Sequence, residues 1–190
     1  MKKELDELLC TKYPKMMVNR YKDMQETAMC WGFECGNGWF DILDQLMGNI
    51  QHHIDWKNKQ RQWAIDHNTM VAQCREGIFD LFEQSMESVT NQEYKEKRLE
   101  EILAGGFRDV PEPFPQVTLD QVKEKFGTLR FYYTGGDEYI AGLVSMAESM
   151  TGVTCESCGN PGKQGGKGWI RTECQSCAEE RKILREGYEQ

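Results

Sequence analysis

A chain of 190 residues, 39% hydrophobic and with a net charge of -8, can bury one core with a small appendage, whereas two full domains would be cramped. The excess acid disfavours an unassisted grip on a phosphate backbone. No run approaches the ~20 apolar residues of a membrane span, and the start MKKELDELLC has no apolar leader core or small-residue cleavage site. These features predict a cytosolic protein, in which eight cysteines read as thiols or metal ligands rather than four disulfides.

Residues 2–12 predict a short helix stopped by Pro14. The following stretch, through Trp39, is rich in Met, Gly and aromatics without a clean period, and reads as mostly irregular. Asn37 is placed to cap a helix starting near Trp39, whose buried stripe would be Trp39, Leu43, Leu46, Met47, Ile50 and Ile54. Helical sequence continues to about residue 86, with Trp63, Ile65, Met70, Val71, Ile78, Leu81 and Phe82 expected in the core and Gly77 marking a break. NQEYKEKRLEEILAGG predicts another helix, stopped at Gly105-Gly106.

The proline-rich RDVPEPFPQV is an extended connection. A strand near 122–133 follows, in which Leu129, Phe131 and Tyr133 alternate with Arg130 and Tyr132 before a Gly-Gly turn. Asp137 then opens a helix that should bury Ile140, Leu143, Val144, Ala147 and Met150 and end at Gly152. The expected fold is α+β: an acidic, mainly helical body over 1–152 with a small β-sheet or hairpin, and a cysteine module over 153–190.

That module carries Cys155, Cys158, Cys174 and Cys177 as two Cys-x-x-Cys pairs, with fifteen residues between Cys158 and Cys174. The spacing is that of a four-thiolate structural Zn2+ site. Two residues between thiolates let both sulfurs reach one ion from a tight turn. Gly159 permits the positive φ of such a knuckle, GKQGGKGWIRT can fold back as a hairpin, and the second pair opens a helix whose amides would stabilise thiolates. A treble-clef or zinc-ribbon-like arrangement is expected, its sparse core being Trp169, Ile170, Ile183, Leu184 and Tyr188, so metal must supply much of its folding free energy. Lys163, Lys167 and Arg171, between the ligand pairs, would offset the charge of a four-thiolate zinc. With Trp169 they are the candidate contacts to a partner or nucleic acid. The module's six Lys/Arg balance its six Glu, so all the excess acid lies upstream.

Enzymatic zinc chemistries fit poorly. A nucleobase deaminase needs His-x-Glu and an open metal position, whereas this chain offers His53-Ile54-Asp55 far upstream. A histidine-dependent nuclease needs a general base in the module, and no histidine follows His67. Cys30 and Cys35 could join His52 or His53 in a second metal site, but ordinary half-buried thiols are the simpler reading. GNG at 36–38 reads as turn plus cap rather than an anion cradle. Lys123, Lys125 and Arg130 alternate with aromatics, a weak nucleic-acid signal that a solvated strand face explains equally well.

In CWGFECGNGWF (30–40), QVKEKFGTLRFYYTGGDEYIAGLVSMAES (121–149) and CESCG...GWIRTECQSC, the chain resembles a family of small uncharacterised proteins of tailed bacteriophages and prophages. The resemblance implies a phage origin and expression in the bacterial host cytoplasm, and supplies no catalytic residue. The expected function is therefore a non-catalytic, zinc-stabilised accessory protein that binds a host protein, such as a defence or transcription component, with no membrane association. A nucleic-acid-binding zinc module is the second reading, and an enzyme using Cys35 or the His52/His53 region the third.

Overall fold

The computed structural model describes residues 1–166 and 168–188. It is an α+β protein with a small mixed sheet and a C-terminal cysteine cluster. Its helices are α1 (Lys3–Lys12), α2 (Phe40–Arg75), α3 (Asp80–Ser85), α4 (Gln92–Gly105), α5 (Glu138–Thr151) and α6 (Gln175–Tyr188). Strands β1 (Phe33–Glu34), β2 (Thr118–Lys125) and β3 (Thr128–Thr134) form one sheet, and β4 (Lys163–Gly165) and β5 (Arg171–Glu173) form a hairpin. No described helix is long and apolar enough to cross a membrane.

The chain divides into two compact units, residues 1–54 with 115–190, and residues 55–114. In the first, β1 runs parallel to β2 and β2 antiparallel to β3. The two-residue β1 lies in the stretch expected to be irregular; it is too short to show alternation and owes its conformation to pairing with β2, some ninety residues away. The predicted strand near 122–133 is a tight hairpin. Lys125 faces Thr128 across a turn in which Phe126 and Gly127 both have positive φ, 53° and 78°, the primed geometry that matches strand twist.

The predicted stripe is buried throughout: Trp39, Leu43, Leu46, Met47, Ile50 and Ile54 are all core residues, as are Leu119, Val122, Leu129, Phe131 and Ile140. Each such side chain contributes roughly 1.5–3 kcal/mol by leaving water. Asn37 does not cap α2. Residues Asn37–Trp39 form a 3-10 turn instead, and the Asn37 carboxamide oxygen accepts the Lys2 backbone N–H at 2.7 Å. Asp137 does cap α5, accepting the Ile140 N–H at 3.1 Å. Of the residues expected under α5, Ile140, Val144 and Ala147 are buried, whereas Met150 is 45% exposed.

In the second unit, the continuation of α2 to Arg75, α3 and α4 enclose Val71, Cys74, Phe82 and Ile102, with Met70, Met86 and Leu99 against them. Trp63 and Ile78, expected in the core, are each 45% exposed. Trp63 lies on a part of α2 that is apolar on more of its surface than this small unit covers, and Ile78 lies in the connection between α2 and α3. Gly77 (φ 81°) follows the end of α2, and Asn91 caps α4 by accepting the Tyr94 N–H at 3.0 Å.

Candidate metal centre

Cys155 and Cys158 lie on the turn after α5, Cys174 follows β5, and Cys177 is in the first turn of α6. Knuckle, hairpin and helix succeed one another in treble-clef order. The four sulfurs lie within 4.8 Å of one another, a group that could hold a metal ion, and Sγ of Cys158 is 3.7 Å from Sγ of Cys174. Gly159 has the positive φ anticipated for the knuckle, 79°. Its N–H donates to the Cys155 carbonyl at 2.9 Å, and the Cys155 N–H to the Asn160 carbonyl at 2.7 Å.

The electrostatics suit a cation. Burial pushes the Cys155 thiol up, but the backbone N–H groups of Cys174, Cys158 and Ser157 outweigh it and bring the group down to about 7. The Cys177 thiol is pushed up by the crowding sulfurs of Cys158 and Cys174. Four thiols so placed cannot all ionise without a positive charge among them.

Among the described residues, the expected module core is not formed. Trp169, Ile170, Ile183 and Leu184 are 68%, 39%, 69% and 58% exposed, and the side chain of Tyr188 lies outside the described residues. The module is instead fixed by backbone and polar contacts to the rest of its unit. Gly38 N–H donates to the Glu156 carbonyl at 2.7 Å, Gly36 N–H to the Glu156 carboxylate at 2.9 Å, and the indole N–H of the fully buried Trp39 to the Thr154 carbonyl at 2.9 Å. A side chain at Gly36 would strike the Glu156 backbone, and one at Gly38 the backbone of Cys155, Cys158 and Gly159. GNGW is thus neither an anion cradle nor a helix cap; it is the seat of the cysteine knuckle. On the other side, Thr172 donates its hydroxyl to the Gly127 carbonyl at 2.5 Å, and Gln164 its carboxamide to the Phe126 carbonyl at 3.0 Å.

Comparison of the chain with protein-family models, curated proteins and solved structures gives no match.

The remaining candidates are dispersed. Among the described residues, the four-cysteine group is the one cluster of three or more His, Cys, Asp or Glu donors. Cys35 is buried and its thiol is pushed up to about 12 by that burial. The Cys30 thiol donates to the Thr27 carbonyl at 3.1 Å. His52 is exposed, whereas His53 sits 2.9 Å from the Asp137 carboxylate and stacks on Tyr139 at 4.4 Å, bracing the start of α5. Lys163 is exposed on β4; Lys167 lies outside the described residues. Trp169 and Arg171 stand together, the guanidinium 5.9 Å from the ring centre.

One surface escaped the sequence reading. A groove of about 220 Å³ between α2 and α5 is walled by Ile42, Leu46, Leu143, Met146 and Met150, with Asp41 at its edge. Its signal was the width of the α5 apolar stripe, more than one side of a helix can bury against the core.

Proposed function

We propose that this chain is a non-catalytic, zinc-stabilised accessory protein of a tailed bacteriophage or prophage, acting in the host cytoplasm by docking on a host protein. Zinc is favoured because a tetrahedral cage with Zn–S bonds of about 2.3 Å has sulfur–sulfur edges of about 3.8 Å, and the Cys158–Cys174 separation is 3.7 Å. Four protein thiolates complete the coordination, leaving no position for a reacting water, so the ion's role is to order the lobe. The segments that carry the phage resemblance are the ones that meet here: GNGW seats the knuckle and the β2–β3 turn backs the hairpin.

The observation that carries the docking reading is the groove between α2 and α5. Methionine and leucine walls adapt to an inserted apolar helix face, and Asp41 together with the net charge of -8 favours a partner with basic flanks. Metal analysis of the purified protein should give one equivalent of zinc. Immobilised wild-type protein should retain a stoichiometric host protein that Met146→Glu, an exposed substitution, releases. Zinc-free folded protein, or a partner retained equally by Met146→Glu, would refute the reading.

A further inference from the structure

Two weak sequence signals, forty residues apart, converge in space. Glu124, Lys125 and Phe126 at the β2–β3 turn, and Trp169 and Ile170 before β5, line one cavity of about 240 Å³, with the Glu124 carboxylate accepting the Gly127 N–H at 2.6 Å. Trp169 is also a wall of a neighbouring cavity of about 650 Å³, lined by Arg171, Arg181 and Arg185. We infer that this paired cleft binds single-stranded nucleic acid, unpaired bases stacking on Phe126 and Trp169 while Lys125, Arg171 and Arg185 meet the phosphates. The inference goes beyond the protein-docking reading and uses a different surface.

Four observations carry it. Phe126 is 64% exposed and Trp169 68%, so neither ring serves the core. Each ring has a cation beside it, Lys125 at 5.5 Å and Arg171 at 5.9 Å, the interleaving that sequence-tolerant single-strand binding uses. Arg181 is held by Glu173 through paired hydrogen bonds of 2.8–3.0 Å, whereas among the described residues Lys125, Arg171 and Arg185 have no carboxylate at ion-pair distance.

The fourth observation is conformational. Phe126 has a φ of 53° at a turn position where Asn or Gly is the low-energy choice, and a bulky aromatic there is a rare outlier. Strain of this kind persists where the surroundings hold it, here the bonds from Gln164 and Thr172 to the turn carbonyls, and marks sites of function. If the cations only offset the charge of the thiolate cage, no exposed aromatic would be needed on the turn. Unpaired bases explain both, because every base has a face to stack and a phosphate beside it.

The test is fluorescence anisotropy of the zinc-loaded full chain with labelled oligothymidylate, oligouridylate and a duplex, each of about 12 nucleotides, at about 50 mM salt. Both single strands should bind, with log K falling against log salt with a slope of about -2 for three phosphates. Trp169→Ala and Arg171→Glu should each weaken binding at least about tenfold. Phe126→Asn should act in opposite directions on two readouts: weaker binding, and a raised melting temperature as the turn strain is relieved. That pairing separates a ligand contact from a folding defect. A preference between the single strands identifies DNA or RNA as the ligand, either of which upholds the inference. It is overturned by no single-strand binding at this salt, by tighter binding of the duplex, by competition from an oligoglutamate peptide that does not depend on Trp169, or by Phe126→Asn leaving binding intact. Met146→Glu should leave oligonucleotide binding unchanged, so failure here is distinguishable from failure of the docking reading.

Discussion

The indole N–H of Trp39 donates to the carbonyl oxygen of Thr154 at 2.9 Å, joining the start of α2 to the entrance of the cysteine knuckle. Trp39→Phe keeps most of the apolar volume and leaves that carbonyl unpaired beside a small void. Urea unfolding should show a loss of about 1–3 kcal/mol, accompanied by faster zinc release to a chelator.

Two glycine substitutions should move stability in opposite directions. At Gly38 a new methyl group meets the backbone of Cys155, Cys158 and Gly159, which cannot yield without moving metal ligands; Gly38→Ala should therefore lower the melting temperature and the zinc content together. Gly142 lies within α5 with no atom in the way of a Cβ, so Gly142→Ala should stabilise by about 0.5–1 kcal/mol.

Removing the metal should act locally. With a strong chelator, or in Cys155→Ser, hydrogen exchange of the β4–β5 amides and of α6 should accelerate by orders of magnitude, since little buried apolar surface stands behind them. The α2 and α5 amides should remain protected, and uniform loss across the chain would contradict this account.

Asp44 gives the fold an acid-sensitive tie. Partial desolvation pushes its carboxyl up, but hydrogen bonds from Lys12 (2.7 Å) and the Tyr13 hydroxyl (2.7 Å) outweigh that and hold it below the ordinary value of 3.8. A depressed carboxyl stabilises the fold above its unfolded-state pKa, and that stabilisation disappears as the pH falls through the folded-state value. Asp44→Asn should thus cost about 1 kcal/mol near neutrality, and the difference from wild type should shrink as the pH drops below 3.8, as measured by urea titration across the acid range.

What the sequence disclosed was whatever is encoded over short distances. The α2 stripe, the Asp137 cap, the stop at Gly105-Gly106 and the knuckle glycine all follow from spacing within a turn or two, and the convergence of four cysteines from two such pairs fifteen residues apart. What it concealed depends on distant partners. β1 exists only beside β2, and Gly36 and Gly38 are glycines because a backbone some 120 residues later passes against them. Trp169, Ile183 and Leu184 look like core by type, yet a module ordered by thiolates and backbone hydrogen bonds has no interior in which to place them. The exposed ring of Phe126 was likewise invisible until the turn assigned it a positive φ.

The distance along the chain between GNGW and the knuckle bears on biosynthesis. Because the contacts to Glu156 and Thr154 span 120 and 115 positions, that much further chain must be synthesised before these contacts to Gly36 and Trp39 can form. Until then the nascent polypeptide displays an indole and a bare glycine ledge to chaperones and proteases, and a lobe made later closes a segment made earlier.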